Sequence, residues 1–248
     1  MRRWLICGGA DGSEKALKLL ERAVEERRPD GVLFLGGILR PNEQHAKAIG
    51  KKDLTSQEAK LYAAFFDTVE RIEVFTALIP GDYDVPLREF LRIGMGAEVQ
   101  NPKMHLVHTA VATGNDFAVC GIGGELTEWI DTGEHCVRVS RSAAEYALRP
   151  LWSAEQPRKM LLLGSAPSGP LGGTGERGEI AGELIDSYHP DLCAVAGETE
   201  HRGTHRIAST TIVNPGRLAD GSAAWFDWTR PRNEQAETLD LHRTPVTS

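Results

Sequence analysis

The sequence lacks any apolar run long enough to cross a bilayer. Its longest stretches, such as Val74-Phe75-Thr76-Ala77-Leu78-Ile79, fall far short of the roughly 18 residues a spanning helix needs. Arg2-Arg3 is followed only by Trp4-Leu5-Ile6-Cys7, too little for the core of a secretory signal, so a cytoplasmic location is expected. A basic surplus is missing too. Lys plus Arg number 28 against 35 Asp plus Glu, a net charge of −7, and that field repels a phosphate backbone unless basic residues cluster, which they do not. Aromatics, at 6%, are too sparse for a base-stacking platform. Neither nucleic acid nor a membrane is expected as partner. The four cysteines, Cys7, Cys120, Cys136 and Cys193, form no C-x-x-C pair and read as reduced, mostly buried thiols.

What is present is an ordinary globular composition, 41% hydrophobic and 25% charged over 248 residues, enough for a large core. Residues 4–7 are a short apolar strand running into Gly8-Gly9-Ala10-Asp11-Gly12-Ser13, after which Leu17, Leu20 and Val24 recur at helical spacing. Residues 31–35 form a second strand ending at Gly36-Gly37. The chain therefore opens with a β-α-β unit whose turns lie at strand C-termini, edges that favour ligand sites. Residues 42–53 read as a polar loop, and Thr55-x-x-Glu58 as a capping box that opens a helix. Strands at 74–79, 104–107, 117–121, 160–163 and 192–196 continue the rhythm, with helices after Pro86 and at 142–153 and 179–187. Residues 210–213 and 223–227 read as two antiparallel strands joined by 214–221. From Thr229 the composition turns polar, so one domain over 1–228 and a loosely held tail over 229–248 are expected.

Five strand-end turns stand out: Gly9-Ala10-Asp11, Gly36-Gly37, Pro80-Gly81-Asp82-Tyr83-Asp84, Gly164-Ser165-Ala166-Pro167 and Gly197-Glu198-Thr199-Glu200. Their order and spacing resemble the calcineurin-like metallophosphoesterases over about residues 3–228. That family carries Asp-x-His, Gly-Asp, Gly-Asn-His-Asp/Glu, a lone His before Pro and Gly-His-x-His at its strand ends, around two metal ions. Asn214-Pro215-Gly216-Arg217-Leu218 follows its closing pattern. Gly121-Ile122-Gly123-Gly124-Glu125 is similar to a mid-chain turn of superfamily members that have lost most metal motifs. The resemblance implies an α/β fold, a four-layer α/β/β/α sandwich of the metallophosphoesterase type. It sets the family's first aspartate on Gly9 and the histidine beside it on Asp11, the bridging aspartate on Gly37 and the asparagine on Asp82. The phosphate-supporting histidine falls on Tyr83, the acidic end of that motif on Asp84, the fourth-motif histidine on Ser165 and the closing histidines on Glu198 and Glu200. None of the family's site histidines remains.

Chemistry gives that loss its meaning. A two-metal hydrolase holds its ions about 3.5–4 Å apart, usually through a shared carboxylate, and Gly37 has no side chain to share. All-oxygen donor sets suit Mg2+ or Mn2+, and the donors for one such ion would be Asp11, Asp82, Glu198 and Glu200. With Asp84 they repel one another: two unit charges about 4 Å apart cost roughly 4 kcal/mol at an effective dielectric of 20. Such a pocket raises carboxylate pKa values, and it admits phosphate only with help from a cation, a nearby Arg, or the amides of Gly8-Gly9 and Gly36-Gly37. The plainer alternative is that these acids are turn residues facing water.

Other chemistries have less support. Ser165 lacks both a G-x-S-x-G elbow and an adjacent base, and Gly8-Gly9-Ala10-Asp11-Gly12 lacks the dinucleotide spacing. The stretch 164–178, with six glycines and two prolines, lacks a P-loop ending and reads as a loop over the site. His201 and His205 are interrupted by Gly203, while His105 and His108, three apart in a strand, point to opposite faces. The expectation is a pseudoenzyme that has lost dinuclear hydrolysis. It keeps a cleft at Gly9, Asp11, Gly37, Asp82, Tyr83, Asp84, Ser165, Glu198 and Glu200 for a small molecule or protein partner. No cofactor is expected beyond at most one Mg or Mn ion. The alternatives are an active phosphoesterase with a carboxylate-only Mg/Mn site, and a structural subunit that forms homo-oligomers.

Overall fold

The computed structural model describes residues 1–39, 54–129 and 136–243; the loop expected over 42–53 lies outside them. Strands β1 (Arg3–Cys7), β2 (Gly31–Phe34), β3 (Phe75–Leu78) and β4 (Met104–Leu106) run parallel, and antiparallel strands β13 (Ser222–Asp227) and β14 (Ala236–Asp240) extend this first sheet beyond β1. In the second sheet β6 (Ala118–Ile122), β9 (Lys159–Leu163), β10 (Leu192–Val195) and β12 (Thr210–Asn214) run parallel between the antiparallel edges β5 (Val111–Thr113) and β11 (Gly203–Ile207). A small parallel pair, β7 (Glu125–Thr127) and β8 (Arg138–Ser140), stands apart.

Alternation along each strand sorts the core into layers. Trp4, Ile6, Leu33, Ala77 and Ile79 from the first sheet meet Val119, Met160, Leu162, Ala194 and Val213 from the second. On the outer faces, Leu5, Cys7, Val32, Phe34 and Leu78 lie in the cluster under α1 (Glu14–Arg27), α2 (Ser56–Arg71) and α3 (Leu87–Gln100). Cys120, Ile122, Leu161, Leu163, Cys193 and Val195 do the same under α4 (Arg141–Ser153) and α5 (Gly175–Tyr188). Strands covered on both faces must be apolar throughout, which is why they read as continuous runs. The result is the expected α/β/β/α sandwich. Helix starts follow their signals: Ser13 Oγ accepts from Ala16 N–H at 3.3 Å, and Thr55 and Glu58 cap each other's backbone amides. Among the described residues, no helix is long and apolar enough to cross a membrane.

Three expectations need correction. β12 and β13 are not a hairpin, because β12 pairs with β10 and β11 while β13 pairs with β1 and β14; residues 214–221 cross from one sheet to the other. Helix α5 begins at Gly175, which draws Arg177 out of the supposed loop and onto a first turn. Residues 229–248 are not uniformly loose, since β14 pairs with β13 along its length and Leu239 and Leu241 are buried in the helix-side core. This edge strand supplies β13 with hydrogen-bond partners that it would otherwise lack.

A chain ending at Trp228 should therefore be destabilised. Losing two buried leucines, at about 1.5–3 kcal/mol each, lowers the unfolding free energy by about 3–6 kcal/mol in urea titration. An unchanged midpoint would show that β14 contributes nothing.

Candidate functional site

The turns after β1, β2 and β3 meet backbone to backbone. Gly9 N–H donates to Gly36 O at 2.8 Å and Asp11 N–H to Gly37 O at 2.9 Å. A Cβ on Gly36 would overlap the amide of Gly81, and one on Gly37 would lie 2.9 Å from Gly9 Cα; both glycines have positive φ, 76° and 72°. Neither position can carry a side chain without moving its neighbours. Below them Asp84 is fully buried. Its Oδ2 accepts from Gly37 N–H (2.9 Å) and Gly81 N–H (2.8 Å), and its Oδ1 from Leu39 N–H (2.9 Å). Burial pushes this carboxyl up to about 6, against the amides, which favour its charged form. The second sheet joins the same edge through Gly124 N–H, which donates to Pro80 O at 3.1 Å.

These turns wall a cavity of about 200 Å3. Gly9, Asp11, Gly37, Asp82, Tyr83, Ser165 and Glu198 line it, as the sequence suggested. Two predicted members do not. Asp84 lies beneath the turns as their shared acceptor, and Glu200, in the 3-10 turn Thr199–His201, is exposed outside the cavity. Ser165 is buried, and its Oγ accepts from Leu126 N–H at 3.4 Å. Asp82 is half-buried; burial pushes its carboxyl up to about 6, Glu125 and Asp84 add to the rise, and Arg177 and Arg138 oppose it.

Arg177, His201 and Arg217 also line the cavity, and sequence reasoning did not place them there. Arg177 was hidden in a glycine-rich stretch, whereas Arg217 stood in the closing Asn-Pro-Gly-Arg-Leu pattern. Arg217 donates through Nε (3.0 Å) and Nη2 to Asp11 Oδ2, and through Nη1 to Glu198 Oε2 (3.0 Å). Burial raises the Asp11 pKa, although Arg217 pulls the other way. For Arg217 burial disfavours the charge, but the two carboxylates outweigh it and hold the guanidinium above its ordinary pKa. Among the described residues, no three His, Cys, Asp or Glu side chains are placed to hold a metal ion. The four proposed oxygen donors are not assembled.

Two further readings meet the structure. His105 and His108 both border one surface groove, as does Leu106 between them, and only His105 lies within β4, which ends at Leu106. Burial pushes His108 down to about 4, and its Nδ1 accepts from Gly123 N–H at 3.0 Å, as a neutral ring does. The cysteines are free; Cys7, Cys120 and Cys193 are buried. Burial pushes Cys7 and Cys120 up to about 12, so they remain thiols.

The sequence matches the family described as metallophosphoesterase, calcineurin superfamily, over residues 1–237. Among solved structures it is similar to TT1561 of Thermus thermophilus, at 26% identity and a TM-score of 0.80, over 97% of this chain and 99% of that one. A novel archaeal phosphodiesterase shares the fold at 9% identity and a TM-score of 0.52, over 96% and 98% of the two chains. GAP50, the anchor in the inner membrane complex of Plasmodium, does so at 12% and 0.57, over 96% of this chain and 78% of that one. No curated protein matches the sequence.

Asp84→Ala should leave three inward-facing amides without an acceptor. At about 1–3 kcal/mol each, the loss in urea unfolding reaches about 3 kcal/mol or more, and wild-type stability would remove Asp84 from this role. Asp82 makes a pH prediction. Its folded pKa of about 6 exceeds the unfolded 3.8, so its contribution to stability is greatest below pH 3.8 and is lost as pH rises through about 6. The stability of wild type relative to Asp82→Asn should fall across that window; a flat difference would contradict the assignment.

Proposed function

This chain belongs to the calcineurin superfamily of metallophosphoesterases, and on that premise we propose that it is a pseudoenzyme of the family. It keeps the cleft at the strand ends as a binding site for a small polar ligand, and it does not carry out dinuclear phosphoester hydrolysis. The observation that carries this reading is the closure of three turns on one another where a bridging carboxylate would stand. A side chain on Gly37 would press on Gly9 at 2.9 Å from a backbone with φ of 72°. The residues present do not fit a dinuclear centre. A rebuilt oxygen-only site fares no better, because Glu200 lies outside the cavity and Arg217 holds Asp11 and Glu198.

The fold alone does not decide the matter, since related architectures serve both a phosphodiesterase and an anchor protein. The make-up of the cleft supports the binding reading. Leu35, Leu39 and Leu171 give apolar wall, and Tyr83, His201, Asp82 and Arg177 give polar groups. A carboxyl that titrates near pH 6 both donates and accepts hydrogen bonds around that pH. This combination suits an uncharged or zwitterionic ligand better than a bare polyanion.

Protein purified without chelator should retain no stoichiometric Mg, Mn, Fe or Zn by elemental analysis. With an aryl phosphate mono- or diester and added Mg2+ or Mn2+, its turnover should equal that of Asp82→Ala. Metal-dependent turnover that disappears in Asp82→Ala would overturn the reading.

A further inference from the structure

We infer that the guanidinium of Arg217 is the resident cation of this cleft, built into the fold as the counter-charge that balances the acids of two opposed turns. The inference rests on the reading that no dinuclear centre forms, and it names what holds the site together instead. Asp11 follows β1 in the first sheet and Glu198 follows β10 in the second; Arg217 lies on the segment that crosses from β12 to β13. One side chain thus bonds turns from both sheets.

On the Asp11 side the geometry is that of a fixed fork, while the Glu198 side chain, 59% exposed, closes the bridge at the surface. Nε and Nη2 converge on Asp11 Oδ2 while Nη1 reaches Glu198 Oε2, and such charge-assisted, directional bonds are the strong ones. The Asp11 side chain is only 8% exposed and that of Arg217 29%, so solvent screens this pair less than an ordinary surface one. The backbone fixes the arginine as well. Its N–H donates to Thr199 Oγ1 at 3.0 Å, Leu218 N–H to Gly8 O at 2.7 Å and Ala219 N–H to Gly9 O at 3.0 Å.

The stem of the arginine explains a second feature. A Cβ on Gly9 would lie 3.2 Å from Arg217 Cγ and 3.3 Å from its Cβ. A side chain at Gly9 would crowd the arginine stem and would sit on a backbone with φ of 65°, so the bare glycine and the arginine's course over it go together. Other charges nearby are accounted for: Asp220 Oδ2 accepts from Thr199 Oγ1 at 2.7 Å, Arg202 Nη1 donates to Ser222 Oγ at 2.8 Å, and Arg177 lies 4.0 Å from Glu125. Arg217 is a positioning residue, and it leaves Asp82, Arg177 and His201 facing the cavity for a ligand.

Thermal unfolding of the full chain tests this. Wild-type Tm should not move with EDTA, millimolar Mn2+ or low-millimolar guanidinium. Arg217→Ala should lower Tm by about 5 °C, and guanidinium or Mn2+ should return about half of that loss where NaCl at equal ionic strength does not. Arg217→Lys, which keeps the charge without the fork, should fall between. A loss that no cation repairs, or a wild type that Mn2+ stabilises as much as the variant, would overturn the inference. If Arg217→Ala does not fold, Asp11→Asn is added: recovery of folding supports a charge-balancing arginine, and continued failure contradicts it. Metal-dependent hydrolysis by the wild type would instead remove the underlying reading. A cation-blind Arg217→Ala would leave that reading standing.

Discussion

A carboxylate with no access to water, Asp84, gathers the amides of Gly37, Leu39 and Gly81, and much of the site depends on that convergence. An acid buried this deeply is tolerable only when its oxygens are hydrogen-bonded. The amides it needs come from turns after two different strands, so satisfying it draws those turns together. They can come close enough only where side chains are missing, at Gly36, Gly37 and Gly81. The floor of the cleft is therefore backbone, and its shape follows from hydrogen-bond satisfaction rather than from ligand coordination.

The rim above this floor is acidic, and Arg217 answers it. Asp11 and Glu198 follow strands of opposite sheets, and the guanidinium that bonds to both offsets the repulsion between them. An arginine serves this purpose durably, because it stays protonated at any pH a folded protein meets. Floor and rim thus have separate supports, one by amide donation and one by ion pairing. The cavity between them keeps Asp82 and Arg177 facing inward without making either responsible for the fold.

Much of the fold was legible because a strand buried on both faces must be apolar at every position, as Trp4, Leu5 and Ile6 or Leu161, Leu162 and Leu163 are. Caps at Ser13 and Thr55 marked helix starts equally plainly. Topology was less legible. Two apolar strands around Asn214-Pro215-Gly216 look alike whether the second returns to the same sheet or joins its neighbour. β14, Ala236–Asp240, was missed because an edge strand with one buried face needs few apolar residues. At the site, the turn positions were readable from their glycines, but depth was not. Asp82 and Asp84 are two residues apart in one acidic turn, yet one lines the cavity and the other underlies it. Glu198 and Glu200 divide similarly. Local sequence does not encode which acid will find three amides, nor that Arg217 will reach across both sheets.

Crystals grown with Mn2+ and measured at the manganese absorption edge test the central idea most directly. Density for the Arg217 guanidinium should lie between Asp11 and Glu198, with the turns of Gly36, Gly37 and Gly81 closed and no anomalous peak in the cleft. Two anomalous peaks about 3.5–4 Å apart, with Arg217 displaced, would contradict it.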